Sequence, residues 1–98
     1  MSYKNGANAT NIAGAATTVV NTGRGILQSI VVNKAVASGV ITIYDNTAAS
    51  GTKIATITHP GTLLANNYDL YYGAYFATGL TVVTSSTDDI TVIWSEIS

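Results

Sequence analysis

Short runs of β-branched and aromatic residues, broken about every ten residues by Gly, Asn, Asp, Ser or Pro, direct this chain toward stacked β-strands. Val19 and Val20 open the first run, which ends at Asn21-Thr22-Gly23 and Gly25. A second spans Ile26 to about Lys34, with Ile30, Val31 and Val32 at its centre, and Ala35 to Gly39 reads as a turn. Val40 to Asp45 is a third strand, with Ile41 and Ile43 facing one way and Thr42 and Tyr44 the other. Asn46 to Gly51 is a turn, Lys53 to Thr58 the returning strand, and His59-Pro60-Gly61 its stop, because proline cannot donate to the ladder. Asn67 to Thr78 shows the clearest alternation. Tyr68, Leu70, Tyr72 and Phe76 share one face, while Asn67, Asp69, Tyr71 and Tyr75 share the other. Gly73 in its middle predicts a bulge or a close backbone approach. Leu80 to Thr84 and Ile90 to Ser95 close the fold around a turn at Ser85 to Asp89, with Ile90, Val92 and Trp94 as a core anchor. Helical periodicity is confined to a short turn near Leu63 to Asn67. Seven or eight short strands predict an all-β chain, an antiparallel β-sandwich of jelly-roll type.

Residues 1–15 depart from this pattern. They are mostly Ala, Asn, Gly and Thr, with Ile12 as the one large aliphatic, and promise too little apolar burial to offset ordering. They read as a flexible N-terminal arm ahead of a single sandwich domain over residues 16–98. In an assembly such an arm straps a neighbour, with Ile12 as its contact.

Only 9% of the 98 residues are charged, against roughly a quarter in an ordinary soluble domain. A surface of Thr, Ser, Asn, Ala and Gly loses little ionic hydration when it meets another protein, so the composition favours adhesion to other subunits. A core this small, with no cysteine to staple it, gains stability by self-association. The net charge of −1, with Lys4, Arg24, Lys34 and Lys53 scattered, gives no footprint for nucleic acid. The N-terminal stretch has no continuous apolar segment of a secretory signal, and no run approaches the ~20 apolar residues of a membrane span. The expectation is a protein made in the cytoplasm without membrane or nucleic-acid partners.

Reactive chemistry is sparse. The one histidine, His59, lies in a turn; a nucleophilic triad would need it beside Asp45, Asp69 or Asp88, and an exposed loop histidine, or one satisfying a local carbonyl, is the expected role. Asp88 and Asp89 are adjacent, so in extended chain they point to opposite faces, unlike the facing carboxylates of a glycosidase; their expected role is to punctuate a turn. Calcium at Asp45-Asn46-Thr47 or at Asp88-Asp89 would find too few carboxylates. Gly23-Arg24-Gly25 lacks the sequel of a phosphate loop. No catalytic residue, metal ligand or cofactor is expected. Binding character resides in the aromatics, where Tyr71 and Tyr75 project from the face opposite the core as contact anchors, as platforms for a sugar ring, or as structural residues shielded on a partly covered face.

The segments GVITIYDNTAASGTKIATI (39–57) and GLTVVTSSTDDITVIW (79–94) resemble small structural proteins of tailed bacteriophages, and the run ILQSIVVNKA around residues 24–34 is similar to the strand before that hairpin. The likeness covers roughly residues 17–95 and consists of hairpins without chemistry. It implies a virion β-module, a capsid decoration (cement) protein or a head or tail fibre component. Proteins of that type are often trimers on the outer capsid surface, bound to the major capsid protein. The implied function is therefore non-enzymatic stabilisation of the head, and the alternative is a tail-fibre or receptor-binding module for host glycans.

Overall fold

The computed structural model describes residues 3–63, 65 and 67–97. Eight strands form: β1 (Tyr3–Ala13), β2 (Ala16–Thr22), β3 (Gly25–Lys34), β4 (Val40–Asp45), β5 (Thr52–Thr58), β6 (Tyr68–Phe76), β7 (Gly79–Thr84) and β8 (Asp89–Ile97). They make two four-stranded antiparallel sheets, ordered β1-β8-β3-β6 and β2-β7-β4-β5. The predicted antiparallel β-sandwich is the observed fold. Pairing is nested: β1 with β8, β2 with β7, β3 with β6 and β4 with β5. The chain thus behaves as one long hairpin, its tip between β4 and β5, wound so that successive turns land on opposite sheets.

Alternation in the sequence becomes layering in the sandwich. Leu27, Ile30 and Val32 of β3, Ile41 and Ile43 of β4, Phe76 of β6, Leu80 and Val82 of β7, and Ile90 and Val92 of β8 have no accessible surface. Each such side chain contributes roughly 1.5–3 kcal/mol by leaving water. In β7 the buried stretch runs without a break from Gly79 to Val82. Thr81 tolerates burial because its Oγ1 donates to the Asn46 carbonyl at 2.7 Å, and Thr84 likewise donates to Gly14 O at 2.6 Å. Trp94 is only half-buried at the rim of the cluster, with its Nε1 donating to Thr10 Oγ1 at 3.0 Å, so the anchor proper is Ile90 and Val92.

The bulge expected at Gly73 is present. Leu27 opposes Ala74 but Ser29 opposes Tyr71, leaving β6 one residue ahead, and Gly73 takes φ +59°. A second irregularity opposes Ser29 to Ile93 of β8, which puts Ser29 and Ile30, though adjacent, both inside. The turn predicted over Leu63 to Asn67 lies partly outside the described residues.

The flexible-arm expectation is corrected. Residues 3–13 are strand β1, paired along β8 with Ile12 opposite Ile90. An edge strand is held chiefly by its backbone ladder, so poverty in large side chains does not preclude order. The single aliphatic it needs is Ile12, which is 5% exposed and packs into the core. Ile12 is therefore not a contact for a neighbour, and the sandwich begins well before residue 16.

Gly25 is required by close approach. A Cβ there would meet Phe76 Cζ at 2.5 Å and press on the Ser95 carbonyl. Gly25→Ala is expected to cost about 1–3 kcal/mol by overpacking, read as a lower urea midpoint with unchanged slope.

Candidate functional site

Strand β6 carries the exposed aromatics. It lies at an edge of its sheet beside β3, and among the described residues no strand pairs with its outer backbone groups. Its inward positions are Tyr68, Leu70, Tyr72 and Phe76, as the alternation predicts. Tyr71 and Tyr75 point outward and are 81% and 51% exposed. Burial pushes the Tyr68 phenol above its usual range, reinforced by the Asp88 carboxylate and by Tyr72, and burial alone does the same for Tyr72. The structure thus brings Tyr71 and Tyr75 together on one strand and removes Ile12 to the interior. A third exposed apolar residue, Val19 at 48%, sits on β2, an edge of the other sheet. Its exposure was not legible, since Val19-Val20 reads as ordinary core until the partner sheet is known.

The ends of β6 and β3 form an open groove of about 360 Å³, lined by Val31, Val32, Asn33, Asn67, Tyr68 and Asp69. Asn33 is oriented there by its own network: its Nδ2 donates to Asp89 Oδ1 at 3.1 Å and Thr91 Oγ1 at 3.0 Å. Asn11 Nδ2 donates to the same Asp89 oxygen at 2.8 Å. The Asn11 and Asn33 amides hold the Asp89 carboxyl below the ordinary range, against a small opposing effect of burial and with help from Lys34.

His59 is 3% exposed and its ring nitrogens bond no carbonyl among the described residues, so neither expected role of the histidine is found. Asp88 lies in the turn before β8, as expected, but it has no accessible surface and accepts from the distant Val36 N–H. His59 Nδ1 lies 2.8 Å from Asp88 Oδ2, a close approach of two buried side chains. The Val36 N–H donates to the same oxygen at 3.0 Å, and the His59 N–H donates to Gly39 O at 2.9 Å. Three loops, after β3, β5 and β7, are tied at this point. Their meeting depends on the winding of the sheets, and no spacing in the sequence announces it. An Asp–His pair is part of a hydrolytic triad, but His59 Nε2 is buried and no hydroxyl among the described residues bonds to it. Ser38, strained at φ +62° in the neighbouring loop, instead uses its N–H on the Pro60 carbonyl at 3.1 Å. The arrangement can hold loops together; it presents no accessible base.

Asp45 closes a turn. Its carboxylate accepts from the Ala77 N–H at 3.0 Å and the Thr78 N–H at 2.9 Å. Burial raises its pKa, but the backbone donors of Ala77, Thr78 and Gly79 together outweigh that and leave it below the usual carboxylate range. The folded state therefore favours the ionised form. Its stabilisation is present above the unfolded value near 4 and is lost as pH falls through the lower folded value. Urea unfolding from pH 7 to pH 2 is expected to show an acid loss that is smaller in Asp45→Asn, with about 1 kcal/mol lower stability of the variant at pH 7. Among the described residues no group of three His, Cys, Asp or Glu side chains is placed to hold a metal ion.

Comparison of the chain with protein-family models, curated proteins and solved structures finds no match.

Proposed function

We propose that this chain is a non-enzymatic structural subunit of a bacteriophage virion, a capsid decoration (cement) protein. In this reading it is made in the host cytoplasm, self-associates as a trimer, and seats on the capsid surface against major capsid subunits. The nested winding of eight strands is read as a jelly roll, an architecture used in capsid domains. The observation that carries the reading is Tyr71, 81% exposed on an edge strand of a molecule with 9% charged residues. A large aromatic left in water on a surface that sheds little ionic hydration is suited to protein contact. The mechanism is mechanical: each copy covers uncharged surface of its neighbours, and repetition over a lattice multiplies a modest contact. The test is copy number in purified particles. Hundreds of copies per particle are expected; absence from mature particles would sink the proposal.

A second reading, a fibre or receptor-binding module for host glycans, draws on the outward face of β6 and the groove at its end. Asn33, Asn67 and Asp69 line that groove with hydrogen-bonding groups for sugar hydroxyls, and the exposed ring of Tyr71, further along the same strand, offers a stacking face. It requires saccharide binding by the isolated protein, lost in Tyr71→Ala, and only a few copies per particle.

A further inference from the structure

The outward positions of β6 are Asp69, Tyr71, Gly73 and Tyr75, and all four are exposed. The row continues onto the neighbouring strand. Gly25 of β3 pairs with Phe76, so Arg24, the exposed residue before it, comes level with Ala77. Along the sheet the order is therefore acid, ring, gap, ring, base, with Gly73 at its centre. The gap is open: a Cβ on Gly73 would meet nothing within 4 Å.

The two charges that end this row are idle within one copy. Among the described residues, neither the Asp69 nor the Arg24 side chain makes a hydrogen bond or an ion pair. They also cannot reach each other, because the strand between the levels of residues 69 and 77 spans roughly 25 Å at about 3.3 Å per residue.

We infer that two copies of this chain pack the outer faces of their β1-β8-β3-β6 sheets together about a two-fold axis at Gly73. The inference rests on the protein contact read from Tyr71 above and names the contacted protein as a second copy. The order of the row carries it. Acid, ring, gap, ring, base is its own complement when a second copy is laid over it antiparallel. Tyr71 of each copy then falls over Tyr75 of the other, and Asp69 of each comes beside Arg24 of the other. Every favourable pair is made twice, as in any contact of one surface with itself.

Packing and charge agree with this arrangement. Aromatic pairs prefer offset or edge-to-face geometry, and the missing side chain at Gly73 leaves room for a partner ring to lean in. Ile26 and Val31, opposite Tyr75 and Asp69 on β3, are only partly buried in one copy and lie under the contact. The other charges of the sheet stand in couples of opposite sign, Lys34 in register with Asp89 at one end and Lys4 with Glu96 at the other. The two-fold turns one couple toward the other, so no like charges are forced together. Pairing of this kind gives even-numbered assemblies: a dimer, or a hexamer where the trimer of the reading above also forms.

The experiment is native mass spectrometry of the full chain as the parent, Asp69→Arg, Arg24→Asp, an equimolar mixture of those two, and the double variant. Both positions are exposed, so each variant should keep the parent's circular dichroism and unfold within a few degrees of it. The parent is expected to form an even-numbered assembly. Each single variant sets like charges against each other twice and should weaken the pairing by at least ~10-fold. The mixture restores both ion pairs in a dimer of one copy of each, and the double variant restores them in its own dimer, so both should pair as the parent does. A monomeric or odd-numbered parent, pairing that survives either single variant, or a mixture and double variant no better than the singles would each overturn the inference. A trimer alone would speak for the earlier reading against this contact, and a dimer alone for this contact without the trimer. Particle copy number is read separately from both.

Discussion

His59→Ala is expected to destabilise the protein by about 3–5 kcal/mol, a large part of the 5–15 kcal/mol that holds a typical domain together. The substitution removes the partner at 2.8 Å from a carboxylate with no accessible surface. Among the described residues, Asp88 then keeps only the Val36 N–H at 3.0 Å, while its Oδ1 already lacks a hydrogen-bond partner. A buried carboxylate left in this state is far costlier than the loss of packing around a surface ring. Calorimetry should show a fall in Tm of roughly 15–30 °C for a chain of this length. The double variant His59→Gln/Asp88→Asn removes both ionisable groups and should recover part of the loss, with a coupling of about 0.5–3 kcal/mol between the sites. A His59→Ala protein that melts within a few degrees of the parent would show that the three loops are held without this pair.

Phe76→Ala carries the second large effect, about 3–5 kcal/mol. Phe76 heads the fully buried side chains by volume, and it stands opposite Gly25, whose missing side chain is the space the ring edge occupies. Neither neighbour can swell to fill the void: Gly25 has no side chain, and the strands around it are pinned by their ladders. Tyr71→Ala on the same strand removes a ring of similar size yet should change stability by no more than about 0.5 kcal/mol, because that ring is already in water. Urea unfolding of the two variants in parallel measures this contrast. Equal losses would mean that the outward face of β6 is covered within the monomer.

That contrast was legible from the residues. Period-two alternation over Tyr68–Phe76 assigns Phe76 to the core and Tyr71 and Tyr75 to the outside, and Gly73 marks its own bulge. The strands from β2 to β8 were equally visible, because each is a β-branched run closed by turn residues. β1 was not, since an edge strand built of Asn, Ala, Gly and Thr has the composition of a loop. Its order comes from β8, a partner from the other end of the chain. Ile12 was misread for the same reason: on an arm it would be a contact, and on a strand it belongs to the core.

Local pattern by itself determined that this chain makes strands, which faces of them are apolar, and that few groups are available for chemistry. Those properties depend on neighbours a few positions apart, and side-chain alternation encodes them directly. Only the tertiary structure decided that His59 and Asp88 meet out of water, that Asp45 caps the turn before β7, and that Val19 and Tyr71 stand exposed on edge strands of different sheets. Each of those depends on which distant segments the winding of two sheets brings side by side, and in a sandwich that is settled by pairing across the whole chain.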